Sequence, residues 1–225
     1  VLRQIIQVKV IGKEAAIEKV QLETDEKEEA DYRAKTVFDS IPAKDKQTQG
    51  IELKVLSKIF EENKLAQKMY NVQMGKLKID YAANTLSAAK VELIYQAANA
   101  KNKETVKNTM SRILSEVTSS QNSFYTVAKN KTQADAIEYV IGNQDSRTNL
   151  AKAVVSLKKN QTSALIEEKD GFYIAHCIQT NSAALQQQYR NQLVSEKQTE
   201  SFQKTYKTWS DKFDVKVSKA LLAAN

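Results

Sequence analysis

Residues 163–178 read Ser163-Ala164-Leu165-Ile166-Glu167-Glu168-Lys169-Asp170-Gly171-Phe172-Tyr173-Ile174-Ala175-His176-Cys177-Ile178. Apolar runs on either side of Lys169-Asp170-Gly171 predict a β-hairpin, with strands over 163–168 and 172–178. Two shorter β candidates lie upstream: Val91-Glu92-Leu93-Ile94-Tyr95, and Ile137-Glu138-Tyr139-Val140-Ile141, which Gly142-Asn143 closes. Between these runs, apolar residues at helical spacing predict a helix over 103–119 through Val106, Met110, Ile113, Leu114 and Val117. A short helix carries Phe124, Val127 and Ala128, and another spans Leu150 to Leu157. Strand, helix, helix, strand, helix, hairpin is a compact α+β module over residues 90–180.

The flanks are helical. Residues 2–20 place Leu2, Ile5, Ile6, Ile17 and Val20 near helical spacing, with Gly12 weakening the middle. Thr24-Asp25 followed by Glu28 reads as an N-cap with a capping-box partner. That second helix runs to Ser40, burying Ala30, Ala34, Val37, Phe38 and Ile41, until Pro42 stops it. A polar loop to Gly50 leads into a long helix bearing Leu53, Leu56, Ile59, Phe60, Ala66, Met69, Tyr70 and Met74. Apolar residues on more than one side make this a sandwiched helix. After the module, Ser182–Trp209 reads as a helix with Leu185, Tyr189, Leu193, Phe202, Tyr206 and Trp209. A short strand over 213–217 and a final helical turn end the chain. The aromatic stripe of the late helix needs a partner, and the early helices are the natural one. The expected architecture is α+β: a helical domain built from residues 1–89 and 181–225, with the module 90–180 inserted.

Composition narrows the chemistry. The 225 residues include one Cys, one His, one Pro and five Gly. A single Cys excludes an internal disulfide framework and a multi-cysteine zinc site, and a single His leaves one imidazole for acid–base work. His176 and Cys177 are neighbours on a strand, so their side chains point to opposite faces and cannot pair. No phosphate-binding glycine loop, dinucleotide turn or zinc-protease motif is present, so no cofactor or metal is expected. The net charge of +7 is spread along the chain with Lys and Glu interleaved, unlike the concentrated basic stripe of a specific nucleic-acid binder. No run approaches the roughly 18 apolar residues of a membrane helix. The sequence opens at Val1 inside an amphipathic segment and is read as a mature or trimmed chain.

The order of elements resembles a parvulin-type peptidyl-prolyl isomerase domain. The segment Val155 to Glu167 followed by Asp170-Gly171-Phe172-Tyr173-Ile174 is similar to that family's ending, in which the last strand reads Gly-Tyr-His-Ile. Ser123-Phe124-Tyr125-Thr126-Val127-Ala128 resembles the family's Asp-Phe-x-x-Leu-Ala helix. The flanking helices resemble the split chaperone domain of the extracytoplasmic foldases PrsA and SurA. Thr24 to Glu28, Phe60 to Tyr70 and the Phe202, Tyr206, Trp209 stripe carry that likeness.

The resemblance implies a fold, a class of activity and a set of positions. It places Glu92 and Tyr173 where the family has its two histidines, on one face of the sheet. Asp135 stands in what remains of the glycine-rich stretch, and Tyr139, Leu150 and Val155 where the proline pocket would be. Isomerisation must lower part of a barrier of roughly 18–20 kcal/mol by gripping the proline ring and stabilising the twisted amide. Tyr173 either donates a hydrogen bond in place of imidazole, oriented by Asp135 or Glu92, or packs as a sheet tyrosine. The leading expectation is a non-covalent foldase for unfolded or proline-containing secreted polypeptides. It would lie outside the cytoplasm, tethered to a membrane through a segment not in this sequence. Phe60, Met69, Tyr70, Met74, Tyr206 and Trp209 are candidates to line a client cradle or, alternatively, to hold the two chain ends together. An active isomerase is the first alternative. An adaptor binding anionic cell-wall polymers is the second.

Overall fold

The computed structural model describes residues 2–82, 85–119 and 123–214. Two compact units emerge. One joins the chain up to Lys78 with the stretch from Glu196, and the other is Ile79–Ser195. The junctions read from sequence, near 89 and 180, both fall inside the second unit. Tyr81, Leu86 and Ala88 explain the early one and Leu185, Tyr189 and Leu193 the late one, because they pack together with Val140.

The first unit contains α1 (Leu2–Ile17), α2 (Thr24–Ser40), α3 (Ala43–Gln49) and α4 (Leu53–Gly75), and takes in α8 (Ala183–Ser210) from Glu196 onward. Val10, Ile11, Ala15, Met69 and Trp209 form its buried centre, with Phe202, Tyr206 and Phe213 packed against it. The late aromatic residues thus join α1 and α4 in one core. Glu14 is 2 % exposed, and Lys212 reaches its carboxylate at 3.1 Å.

Two local expectations change. The cap of α2 is Glu23, whose backbone N–H donates to Glu26 Oε2 at 2.9 Å. The box therefore closes on Glu23 and Glu26 rather than on Thr24-Asp25 and Glu28. The expected loop 43–49 is a helix: Pro42 ends α2 and stands as the N-cap of α3, where its missing N–H costs nothing. Gly50 then closes α3 in the left-handed region at φ 62°. Val37 is exposed rather than buried. The strand expected over 213–217 and the last helical turn lie outside the described residues from 215 onward.

The second unit holds a four-stranded antiparallel sheet of order β2-β1-β4-β3. The strands are β1 (Ala88–Ala97), β2 (Glu138–Gly142), β3 (Ile166–Glu168) and β4 (Gly171–Gln179). Its helices α5 (Lys103–Thr118), α6 (Phe124–Lys131) and α7 (Thr148–Ser156) match the predicted helical patterns. Val91, Leu93, Tyr173, Ala175 and Cys177 face α7 through Leu150, Val154 and Leu157. The alternate residues Ile94, Phe172 and Ile174 face α5 and α6 through Met110, Ile113, Phe124 and Val127. Apolar residues on both strand faces therefore each have a helix to bury them.

The β3–β4 hairpin is tighter than its sequence implies. Glu168 pairs with Gly171 across the two residues Lys169-Asp170. Residues 163–165 leave the ladder, although Ser163 still donates its N–H to the Ala175 carbonyl at 2.8 Å. Gly171 sits at φ 155°, and a Cβ there would come 2.2 Å from the Gln96 carbonyl oxygen. Only glycine allows β4 to start so close to β1.

Candidate functional site

β4 and the segment leading into α7 build a polar cluster on the α7 side of the sheet. Tyr173 and Tyr95 are paired in register on β4 and β1, and their rings stack with centroids 4.6 Å apart. Both hydroxyls end on the hairpin turn. Tyr173 donates to the Asp170 carboxylate at 2.6 Å, and Tyr95 to the Asp170 carbonyl at 3.0 Å. Arg147 lies over the Tyr173 ring at 5.6 Å. Its guanidinium is gripped by Asp145 through Nε at 2.9 Å and Nη2 at 2.7 Å. Such a fork fixes the plane of the guanidinium as well as its position. Glu168, at the end of β3, accepts the N–H groups of Asn149 and Leu150 at 2.7 and 2.9 Å, so the hairpin also caps the start of α7.

The electrostatics follow from these contacts. Burial, then the bond to Asp170, pushes the Tyr173 hydroxyl well above its ordinary range. Tyr95 moves the same way through burial and the nearby Asp170 charge. The bond to Asp145 holds Arg147 more firmly protonated. A hydroxyl already committed to a carboxylate, with its proton held more tightly, is a poor general acid near neutral pH. Arg147 is the cationic donor in the cluster, and about a third of its side chain (32 %) meets solvent.

The residues expected at the site are not all brought together. Glu92 lies on the other face. The register pairs it with His176, which lies three positions beyond Tyr173, an odd step that turns the side chain over. The β1 residues that share the Tyr173 face are Val91, Leu93 and Tyr95. The expected shared face for Glu92 and Tyr173 is therefore corrected by the β1–β4 register. Glu92 is half-buried there with its carboxyl shifted upward, by burial first and by Glu138 second. His176 is stacked on Phe124 with centroids 5.3 Å apart, and its Nδ1 shares a hydrogen bond of 2.9 Å with Thr162 Oγ1. Burial lowers its pKa.

Asp135 is exposed, and the carboxylate that reaches Tyr173 is Asp170. Tyr139 packs at the edge of the α7-side core, with its hydroxyl accepting the Ala136 N–H at 2.9 Å. Leu150 is fully buried in that core, and Val155 is half-buried further along α7. A cleft of about 550 Å³ opens elsewhere on this unit, past the start of α7, between Asn99, Lys103, Asn149, Glu167 and Phe172.

In the helical unit, Met69 is fully buried and Trp209 nearly so. Tyr70 meets Phe202 edge-on at 4.9 Å, and Phe202 meets Trp209 at 6.0 Å. Phe60 instead lines an open cleft of about 400 Å³ between α2 and α4, with Ala30, Arg33 and Lys64 on its walls. The sequence marks Tyr95 only as a strand residue and Asp170 only as a turn residue, and it singles out neither Arg147 nor Asp145. The spacing Asp145-x-Arg147 just before a helix was the available signal for two of them, since an Asp there bonds the backbone two residues on, as it does at 2.9 Å.

Residues 89–179 match the rotamase family model, the PPIC-type PPIase domain. This segment is a PPIC-type domain. No curated protein matches the sequence. Among solved structures, PrsA from Bacillus anthracis is 14 % identical over 97 % of this chain and 99 % of its own, at a TM-score of 0.49. The foldase PrsA from Lactococcus lactis is 16 % identical over 99 % of this chain and 86 % of its own, at 0.44. A structure from work on SurA-like chaperones of Campylobacter jejuni is 13 % identical over 97 % of this chain and 87 % of its own, at 0.37. The Tyr95–Tyr173–Asp170–Arg147 cluster lies within this segment, with Tyr95 on β1, Tyr173 on β4, Asp170 in the hairpin turn and Arg147 just before α7. Among the described residues, no helix is long and apolar enough to cross a membrane.

Proposed function

We propose that this protein is an extracytoplasmic foldase that holds unfolded secreted polypeptides non-covalently, with a PPIC-type domain whose isomerase chemistry is weakened. The observation that carries this reading is the state of Tyr173. Its side chain is 3 % exposed and its hydroxyl is spent on Asp170, in the place where the family pattern supplies an imidazole. A buried, committed hydroxyl has no proton to offer a prolyl amide, whereas client holding needs only apolar surface and adaptable polar contacts. Phe60 lines the α2–α4 cleft, where its ring is placed to touch a client. Met69 and Trp209 belong to the buried core of the same unit, and Tyr70 packs on Phe202, so these residues hold that unit together.

Two assays on the whole chain test the proposal. The protein should slow aggregation of a reduced, unfolded secretory protein at near-equimolar ratio, and Phe60→Ser should weaken that effect. No protection by the wild type would sink the holding role. The second reading, an active isomerase, draws on the exposed third of Arg147, a fixed cationic donor able to meet a client carbonyl. Under it, the wild type accelerates cis–trans exchange of a proline peptide and Arg147→Lys, which cannot form the fork, abolishes most of the gain. Binding to anionic wall polymers that fades with salt, without any protection of the unfolded client, would point to the adaptor instead.

A further inference from the structure

The family match ends at residue 179, yet the loop that carries Arg147 is held from beyond that point. We propose that Tyr189, on α8, is a positioning residue for the Arg147–Tyr173 cluster. The proposal's bearing on catalysis rests on the second reading above, in which Arg147 meets a client carbonyl.

The connection runs through backbone. Tyr189 is 1 % exposed and packs among Leu86, Ala88, Val140, Leu185 and Leu193. Its ring lies directly on the last residue of β2, where a Cβ on Gly142 would come 2.3 Å from Tyr189 Cε1. Its hydroxyl accepts the Gln144 N–H at 3.1 Å. Asn143 is held separately, donating its N–H to the Ser87 carbonyl at 2.9 Å and its amide to the Thr85 carbonyl at 2.8 Å. The Asp145 N–H then turns back to the Gly142 carbonyl at 3.1 Å. That turn sets the Asp145 carboxylate, which takes the N–H, Nε and Nη2 of Arg147 together. The Arg147 carbonyl in turn accepts the Ala151 N–H at 2.8 Å and starts α7. The guanidinium therefore inherits its place over Tyr173 from a turn whose middle residue is pinned by Tyr189. A core tyrosine without this role would need only its ring; the bond to Gln144 is what ties it to the site.

The test uses the full chain and reads the Arg147 side chain directly by NMR, with its Nε–H signal assigned by loss in Arg147→Lys. Tyr189→Phe keeps the ring over Gly142 and deletes the hydroxyl. The expected result is a shifted Arg147 Nε–H resonance and exchange with solvent faster by about fivefold, the scale of one neutral hydrogen bond lost from the turn. The Phe124 ring and His176 signals on the opposite face should stay in place. An Arg147 Nε–H unchanged in both position and exchange, while the Gln144 amide loses protection, would overturn the proposal. Catalysis gives a separate readout. If the wild type isomerises proline peptides, Tyr189→Phe should lower kcat with little change in KM. If the wild type is inactive, the isomerase reading fails while the spectrum still decides the role of Tyr189.

Discussion

Replacing Gly171 with alanine should break the hairpin on which the whole polar cluster hangs. Its φ of 155° is a region that side chains enter at a cost of about 1–3 kcal/mol. The added Cβ would lie 2.2 Å from the Gln96 carbonyl oxygen and 2.9 Å from the Tyr95 ring. The oxygen belongs to the backbone of β1, so relief requires the strands to separate, for a further ~1–3 kcal/mol. Separation strains the two bonds into the Asp170 carbonyl, from the Ala98 N–H and the Tyr95 hydroxyl, each 3.0 Å long and worth about 1 kcal/mol. The combined loss is on the order of 4–8 kcal/mol, a large share of the roughly 5–15 kcal/mol that stabilises a domain. Amide exchange followed by mass spectrometry, resolved for peptides of β1 and β4, reads this loss locally and leaves the helical unit as an internal reference. Gly12→Ala is the control. Gly12 lies inside α1 with nothing within 4 Å of the added carbon, and the change should stabilise by about 1 kcal/mol. A Gly171→Ala protein whose β1 and β4 amides keep wild-type protection would refute the close approach of the strands and the reasoning built on it.

Other consequences are equally direct. Lys212→Met should leave the buried Glu14 carboxylate without its lysine and lower the unfolding free energy of the helical unit, read by Trp209 fluorescence in urea, by about 1–3 kcal/mol. Adding Glu14→Gln should restore most of that loss. Glu92 has a raised folded pKa, so its favourable contribution exists at acid pH and disappears as pH rises through that value. Glu92→Gln should therefore gain stability over wild type at neutral pH, with the gap closing in acid; a gap that does not change with pH would argue against its burial. His176 has the opposite sign. Its depressed pKa gives stability above the ordinary value of 6.5 that is lost as pH falls through the folded value. The melting temperature of His176→Gln should fall less than that of wild type between about pH 7 and about pH 5.

The likeness to parvulins was legible because it is carried by local patterns. Apolar alternation marks the strands, helical spacing marks α5 and α7, and Asp170-Gly171 marks the turn, each set within a few residues of chain. The same locality explains what went astray. Counting along β4 shows that Tyr173 and His176 face opposite ways, but the face of Glu92 depends on which β4 residue stands across from it. That register is fixed by the close approach of Gly171 to β1 and by the packing of Val91 and Leu93 against α7. The helix over 43–49 leaves no mark in the sequence for a different reason. A proline ends one helix and starts the next with equal ease, and the polar residues after it have no apolar stripe to announce them.

The sequence alone determined that helical stretches precede and follow an α+β segment that resembles a parvulin domain, with Tyr173 on the last strand of that segment. Only the tertiary structure decided what surrounds that tyrosine. Asp170, Tyr95, Arg147 and Asp145 converge on it from a turn, a second strand and the approach to a helix. Tyr189 reaches the same loop from α8. Hydrogen bonds between such distant positions depend on strand register and helix docking, which arise from packing over the whole unit and leave no periodic mark in the chain.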